Sequence, residues 1–177
     1  MPARLVLVGY RASGKSTVGR AAARRLGWRF VDSDHRLESE LGPIAAFFAA
    51  HGEAEFRRRE SACLAALLAE TGPQVLATGG GIVLSEANRA ALRALSAAGA
   101  LVVYLHADAA CLAARLRQDD GGRPSLTGGG VADEVPRILG VRDPLYREVA
   151  DAVVDASRPR AEVVAAVVAL ARPADEP

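Results

Sequence analysis

The sequence predicts an α/β protein, a three-layer α/β/α sandwich in which helices cover both faces of a five-stranded, mostly parallel sheet. Short apolar segments alternate with helical segments along the chain, which is typical of repeated strand–helix–strand units. The first segment, residues 4–9, is almost continuously apolar, as in a strand that is buried on both faces. With 177 residues, half of them hydrophobic, the chain is long enough for one domain with a sizeable core.

The individual elements follow from short-range patterns. Glycines end several helices: Gly27 follows the first, and Gly52 separates two others. Ser85 is suited to cap the helix that follows it. The predicted strands span residues 4–9, 28–32, 75–77, 101–105 and 151–155. The predicted helices span residues 15–26, 34–41, 44–51, 53–70, 86–97, 107–118, 133–149 and 159–171. Residues 119–130, rich in glycine and poor in apolar side chains, predict a mobile loop.

Charge and composition exclude several classes of protein. The 22 basic and 21 acidic residues nearly balance, so no electrostatic footprint for nucleic acid or an anionic membrane is present. No apolar stretch reaches the roughly 18 residues of a membrane span. The N-terminal residues do not resemble a signal peptide, and Cys63 and Cys111 fit buried helical positions. We therefore expect a cytoplasmic, disulfide-free protein, and a monomer by default.

Residues 9–16, Gly-Tyr-Arg-Ala-Ser-Gly-Lys-Ser, fit the pattern of a phosphate-binding loop between a strand and a helix. Glycines let backbone N–H groups cradle phosphate oxygens, and the helix directs its positive end to the same place. Ser16 offers an oxygen to Mg²⁺. Lys15 is the only lysine among 22 basic residues. It lies where a compact ammonium meets phosphates better than a planar guanidinium would.

Two further strand ends carry polar chemistry, and parallel sheets bind ligands at that edge. Asp32 ends the second strand, where a carboxylate either caps the next helix or helps to hold Mg²⁺. Asp34 follows two residues later and is suited to contact an acceptor hydroxyl. Residues 79–81, three consecutive glycines, follow the third strand.

Several arginines are candidates for binding an acidic acceptor. Arg57, Arg58 and Arg59 are consecutive in a helix and cannot all face one ligand. For Arg58 and Arg59 a solvated face with acidic partners is the competing interpretation. Arg142 begins another charged stretch, and Arg123 lies in the predicted loop, where closure would bring it to the transferring phosphoryl group.

Together these segments resemble the shikimate kinases. The matching motifs occur in the family's order at residues 9–17, 32–34, 52–60, 79–81, 123–126 and 142–147. The resemblance implies a single P-loop kinase domain over residues 1–177, with a five-stranded parallel sheet, a substrate-binding region at 33–60 and a lid at 112–130. It implies transfer of the γ-phosphate of ATP, with Mg²⁺, to the 3-hydroxyl of shikimate.

The resemblance also implies roles for individual residues. As catalytic residues it implies Lys15, Asp34 and Arg123. For shikimate it implies Asp34, Arg57, Gly79, Gly80, Gly81 and Arg142, with Glu60 holding Arg57 in place. For ATP it implies Gly9, Ala12, Ser13, Gly14, Lys15, Ser16, Thr17, Arg115, Arg123 and Arg158. Ser16 and Asp32 would serve Mg²⁺.

The chain departs from the family pattern in three ways: at Ser125 in the lid, at residues 10–12 in the phosphate loop, and in the unusually many glycines of the lid, at 121–122 and 128–130. Other interpretations of the sequence remain open. Gluconate kinases and nucleoside monophosphate kinases share the fold and the phosphate loop. A nucleotide-binding regulatory protein would bind ATP without turning over an acceptor.

Overall fold

A parallel sheet forms the centre of the protein. The computed structural model describes residues 4–118, 130 and 132–172. The strands within these residues are β1 (Arg4–Val8), β2 (Arg29–Asp32), β3 (Gln74–Ala77), β4 (Leu101–His106) and β5 (Ala152–Asp155). They form one sheet in the order β2-β3-β1-β4-β5, and every neighbouring pair is parallel. The predicted α/β class and five-stranded parallel sheet are confirmed.

Helices fill the segments between the strands. They are α1 (Lys15–Leu26), α2 (Ser33–Leu41), α3 (Ile44–Ala69), a short 3₁₀ helix (Ile82–Leu84), α4 (Glu86–Ala97), α5 (Ala109–Gln118), α6 (Val135–Val149) and α7 (Arg160–Ala171). The break predicted at Gly52 is present inside α3, where this residue takes φ 79° and ψ 173°. No sequence pattern predicted the 3₁₀ helix. No helix within the described ranges is both long and apolar enough to span a membrane.

The core lies on both sides of the sheet. Every residue of β3 is buried, and in β1 the side chains from Leu5 to Val8 are at most 2% exposed. Since successive side chains of a strand point to opposite faces, both faces must be covered. α1 packs against α7, whereas α4 packs against α3 and α6. The continuous apolar strands therefore fit the interior of a three-layer sandwich.

The strand order brings the chemically interesting segments together. β3 lies between β2 and β1, with Asp32 in register with Ala77 and Ala77 in register with Leu7. Three neighbouring strands therefore end at one level of the sheet. The phosphate loop, Asp32 and the glycine segment, which we define as Gly79, Gly80 and Gly81, all emerge there.

Candidate active site

The phosphate loop turns tightly between β1 and α1. Gly9, Ala12 and Gly14 have positive φ values of 148°, 62° and 93°. A β-carbon on Gly9 would lie 2.7 Å from the carbonyl oxygen of Leu105, so the backbone can pass this point only as glycine. The loop leads directly into the N-terminus of α1, where the helix dipole favours an anion.

Lys15 curls back over this loop. Its Nζ donates to the carbonyl oxygens of Gly9 and Tyr10, each at 2.8 Å, and the residue is 8% exposed. The neighbouring Ser13 is buried as well. The only lysine of the chain is therefore a buried cation at the phosphate loop, whereas Ser16 and Thr17, which follow it, are exposed.

Ser16 and Asp32, the residues predicted to serve Mg²⁺, are in contact. Ser16 Oγ donates to Asp32 Oδ2 across 2.5 Å. The other carboxylate oxygen of Asp32 accepts from the backbone N–H groups of Asp34 and His35 and so caps α2. The two interpretations of Asp32 are therefore compatible, because one oxygen caps the helix and the other faces the phosphate loop.

The three consecutive arginines of α3 divide between two environments. Arg57 Nη1 donates to Glu60 Oε2 at 2.7 Å, and Glu60 is 3% exposed. Arg58 and Arg59 turn outward and pair with Glu55. The solvated-face interpretation is confirmed for the outward pair, and Arg57 is left as the member of the run that points into the protein.

The glycine segment is packed against these charged side chains. A β-carbon on Gly81 would lie 2.1 Å from Arg57 Nη1, and one on Gly79 would lie 2.7 Å from carboxylate oxygens of Asp34 and Glu60. The Gly79 N–H donates to Ser33 Oγ at 3.0 Å. Gly79 therefore contributes space to the site, since its N–H is already used within the protein.

α6 reaches the same segment from another side. Arg142, 8% exposed, donates from Nη1 to the Gly80 carbonyl oxygen at 3.2 Å. A β-carbon on Gly80 would lie 3.2 Å from the backbone nitrogen of Arg11, which belongs to the phosphate loop. The segment thus contacts Arg142 at Gly80 and Arg57 at Gly81, and it borders the phosphate loop.

Burial dominates the electrostatics of this cluster. Desolvation raises the pKa of Glu60 above its ordinary value, and the neighbouring Asp34 carboxylate adds to the increase. Arg57, through its charge and its hydrogen bond, and Arg142 oppose that increase. The cluster therefore holds two carboxylates and two guanidinium groups, an arrangement suited to a small ligand with a carboxylate and hydroxyl groups.

Arg115 and Arg158, which the resemblance implies for ATP, lie in different surroundings. Arg115 donates to the carbonyl oxygen of Ala12 at 3.2 Å and to that of Ala156 at 2.6 Å. It thereby joins the phosphate loop to the segment after β5. Arg158 follows in that segment, but its side chain is 63% exposed and pairs with Glu162 on α7. Arg123 and Ser125, with most of the predicted lid, lie outside the described residues.

Sequence reasoning missed contacts between distant segments. Arg11 forms an ion pair with Glu134, and the side chains are 10% and 2% exposed. The two residues are 123 positions apart, and no local pattern joins them. Tyr146 was part of a recognised motif without a role, yet its hydroxyl donates to the Gly80 carbonyl oxygen at 2.5 Å. Tyr10, within the phosphate loop, is also buried, at 1% exposed.

Comparisons with known proteins agree with this geometry. A family model described as "Shikimate kinase" matches residues 11–172. The shikimate kinase of Oleidesulfovibrio alaskensis is 48% identical over 163 residues, covering 90% of this chain and 92% of that protein. The structure of the shikimate kinase from Acinetobacter baumannii in complex with shikimate has a TM-score of 0.84 at 35% identity. The alignment covers 95% of this chain and 92% of that one.

A more distant likeness concerns the fold alone. A gluconokinase from Sinorhizobium meliloti has a TM-score of 0.62 but only 22% identity, over 95% of this chain and 90% of that one.

The resemblance noted in the sequence is confirmed by the family match, the identity over nine-tenths of the chain and the common architecture. On these grounds the chain belongs to the shikimate kinase family.

Proposed function

We propose that this chain, an ATP-dependent shikimate kinase by its family, holds the shikimate carboxylate between Arg57 and Arg142 during transfer. The γ-phosphate of ATP passes to the 3-hydroxyl, and the products are shikimate 3-phosphate and ADP. One observation carries the proposal: both guanidinium groups meet the glycine segment, at Gly81 and Gly80, and that segment borders the phosphate loop. An acceptor bound there would lie next to the nucleotide.

Asp34 is the residue proposed to act on the acceptor hydroxyl. Its carboxylate lies beside Gly79, at the start of α2 and at the same edge of the sheet as the phosphate loop. As the bond between the 3-oxygen and the γ-phosphorus forms and the bond to the ADP oxygen breaks, the hydroxyl proton passes to Asp34. The carboxylate also orients the hydroxyl for attack along that line.

The nucleotide would be held by the phosphate loop and its neighbours. Lys15 and the N-terminus of α1 would stabilise charge on the phosphates, and Arg115 would border the adenine from its bridge between Ala12 and Ala156. We assign Arg123 to the transferring phosphoryl group and Arg158 to the adenine, with Gly9, Ser13, Gly14, Ser16 and Thr17 along the phosphates.

Ser16 and Asp32 fit a magnesium ion that is shared with ATP. Both offer hard oxygen atoms, and they touch at the edge of the phosphate loop. Within the described residues no group of three or more His, Cys, Asp or Glu side chains is arranged to hold a metal. Phosphate and water oxygens would therefore complete the coordination. Bound Mg²⁺ neutralises charge that develops on the phosphate oxygens.

The proposal extends to the setting of the enzyme. We propose a single domain that works as a monomer in the cytoplasm on two small molecules, without nucleic acid or membrane partners. The formal net charge of +1 supports the absence of polyanionic partners.

The test is an ADP-release assay with shikimate, gluconate and nucleoside monophosphates at matched concentrations. We expect ADP release that depends on shikimate and exceeds the response to the other acceptors. Asp34→Asn should abolish most of it, whereas Asp133→Asn, at a carboxylate that is 79% exposed, should leave it intact. A stronger response to another acceptor would reject the proposal. ATP binding without acceptor turnover would favour a regulatory protein instead.

A further inference from the structure

The Gly80 carbonyl group is held by side chains of α6. Tyr146 donates its hydroxyl to this oxygen at 2.5 Å, and Arg142 donates Nη1 to it at 3.2 Å. Tyr146 is 0% exposed. Burial raises the pKa of its hydroxyl above the ordinary value, so the group stays protonated and remains a hydrogen-bond donor at working pH.

Holding this carbonyl also sets the direction of the next N–H group. The Gly80 C=O and the Gly81 N–H belong to one planar peptide unit, which is trans because the described residues include no cis peptide bond. In a trans unit the two groups point in opposite directions. A hydrogen bond that fixes the carbonyl on the side of α6 therefore turns the Gly81 N–H away from α6.

Three glycines in a row need such an external restraint. Glycine has the widest choice of backbone dihedral angles, so the segment on its own would not favour one peptide orientation. Gly81 adjoins Arg57, which the proposed function assigns to the shikimate carboxylate. The restraint from α6 therefore acts on a peptide at the proposed acceptor site.

Tyr146 is itself held firmly in α6. Its ring packs against Tyr104 of β4 with the ring centroids 4.9 Å apart. Tyr104 donates its hydroxyl to Asp143 Oδ1 at 2.9 Å, and Arg147 donates to the other oxygen of Asp143 at 2.7 Å. The Tyr104 ring thus supports the Tyr146 ring, whereas the Tyr104 hydroxyl bonds to Asp143 and has no part in the contact with Gly80.

We propose that Tyr146 is a positioning residue: its hydrogen bond to the Gly80 carbonyl orients the peptide so that the Gly81 N–H is presented to shikimate. The inference rests on the proposed function. Arg142 shares the carbonyl oxygen but also serves the carboxylate, whereas Tyr146 acts on substrate through the peptide.

The chain offers a matched pair of variants. Tyr146→Phe removes the hydroxyl from Gly80, and Tyr104→Phe removes the other hydroxyl of the same ring pair, which bonds Asp143 instead. We expect Tyr146→Phe to raise the KM for shikimate about tenfold, the effect of one hydrogen bond, with less than about a twofold change in the KM for ATP. Tyr104→Phe should leave the KM for shikimate unchanged. Equal changes in both KM values, or an equal effect of both variants, would overturn the inference.

A second measurement needs no turnover. In ¹⁵N-labelled protein without ligand, amide hydrogen exchange at Gly81 should be faster in Tyr146→Phe than in wild type, and unchanged in Tyr104→Phe. Added shikimate should shift the Gly81 amide resonance in wild type and shift it less in Tyr146→Phe. Unaltered exchange at Gly81 in Tyr146→Phe would reject the positioning role. Failure of wild type to phosphorylate shikimate would instead reject the proposed function, and the exchange result would still decide whether Tyr146 orients the peptide.

Discussion

Arg57 and Glu60 form an ion pair in which Nη1 lies 2.7 Å from Oε2, with the carboxylate almost fully buried beside Gly79. Glu53 flanks the same guanidinium at 3.4 Å, one turn earlier on α3. A guanidinium held between two acidic side chains has a fixed orientation. The Arg57 side chain therefore loses little rotamer entropy when its remaining N–H groups bind a carboxylate ligand. The helix thus preorganises the guanidinium group that we propose for the acceptor carboxylate.

Removal of this guanidinium should affect the acceptor rather than the nucleotide. We expect Arg57→Ala to raise the KM for shikimate by the equivalent of roughly 2–5 kcal/mol, because a buried charge pair with substrate is lost. Steady-state kinetics with each substrate varied in turn measure the effect. Arg58→Ala, on a side chain that is 66% exposed and paired with Glu55, is the matched control and should change neither KM. A change in the KM for ATP alone would contradict the carboxylate assignment.

Glu60 should introduce a pH dependence on the acidic side. Burial raises its pKa above the ordinary 4.5, so acidification protonates it and breaks the ion pair with Arg57 while most other carboxylates are still ionised. The KM for shikimate should therefore rise as the pH falls through the pKa of Glu60 in the folded protein. Glu60→Gln cannot titrate and should lose this limb of the profile.

The raised pKa of Glu60 also determines how its contribution to the free energy of unfolding changes with pH. Because the folded protein binds this proton more tightly than the unfolded chain, the contribution of Glu60 to the free energy of unfolding is fully present below the unfolded pKa. It is lost as the pH rises through the folded pKa. Urea unfolding should therefore show Glu60→Gln gaining stability relative to wild type as the pH is raised from acidic to neutral. The opposite trend would show that Arg57 outweighs desolvation.

The position of Gly81 should not tolerate even the methyl side chain of alanine. Its φ of −94° suits any residue, so only space limits the position, and a β-carbon would lie 2.1 Å from Arg57 Nη1. Gly81→Ala should displace the guanidinium, raise the KM for shikimate at least about tenfold and cost about 1–3 kcal/mol of stability. Gly140→Ala on α6 meets nothing within 4 Å and should instead stabilise the helix by up to about 1 kcal/mol. Similar kinetics for the two variants would contradict the close contact.

Lys15→Arg tests whether the single lysine is needed as lysine. The ammonium fits between two carbonyl oxygens at 2.8 Å, and a planar guanidinium needs more room in a side chain that is 8% exposed. We expect kcat to fall on the order of 10²-fold, as when a group that stabilises transition-state charge is lost. Thermal unfolding with and without ATP separates this loss from misfolding. Normal turnover would mean that a positive charge of any shape suffices.

Local pattern was enough to predict most of the fold. The apolar strands, the glycine after each early helix and the phosphate loop depend on neighbours a few residues away, so their signals survive in sequence alone. The residues at three strand ends were predicted to share an edge because parallel strands end on the same side. Helical geometry predicted that the three arginines do not share one target, and the interpretation of Arg58 and Arg59 as a solvated face is confirmed by their pairing with Glu55.

The tertiary structure decided what those residues touch. Helical spacing excluded a common target for the three arginines. Packing against Gly81 then distinguishes Arg57 from the two arginines that follow it. The contact of Tyr146 with Gly80 joins positions 66 apart, and the ion pair of Arg11 with Glu134 joins positions 123 apart. Such contacts depend on the distance between strands that the whole sheet sets, and no periodicity along the chain encodes them. The amino-acid sequence determined the chemistry available at the edge of the sheet, and the folded chain determined which groups meet there.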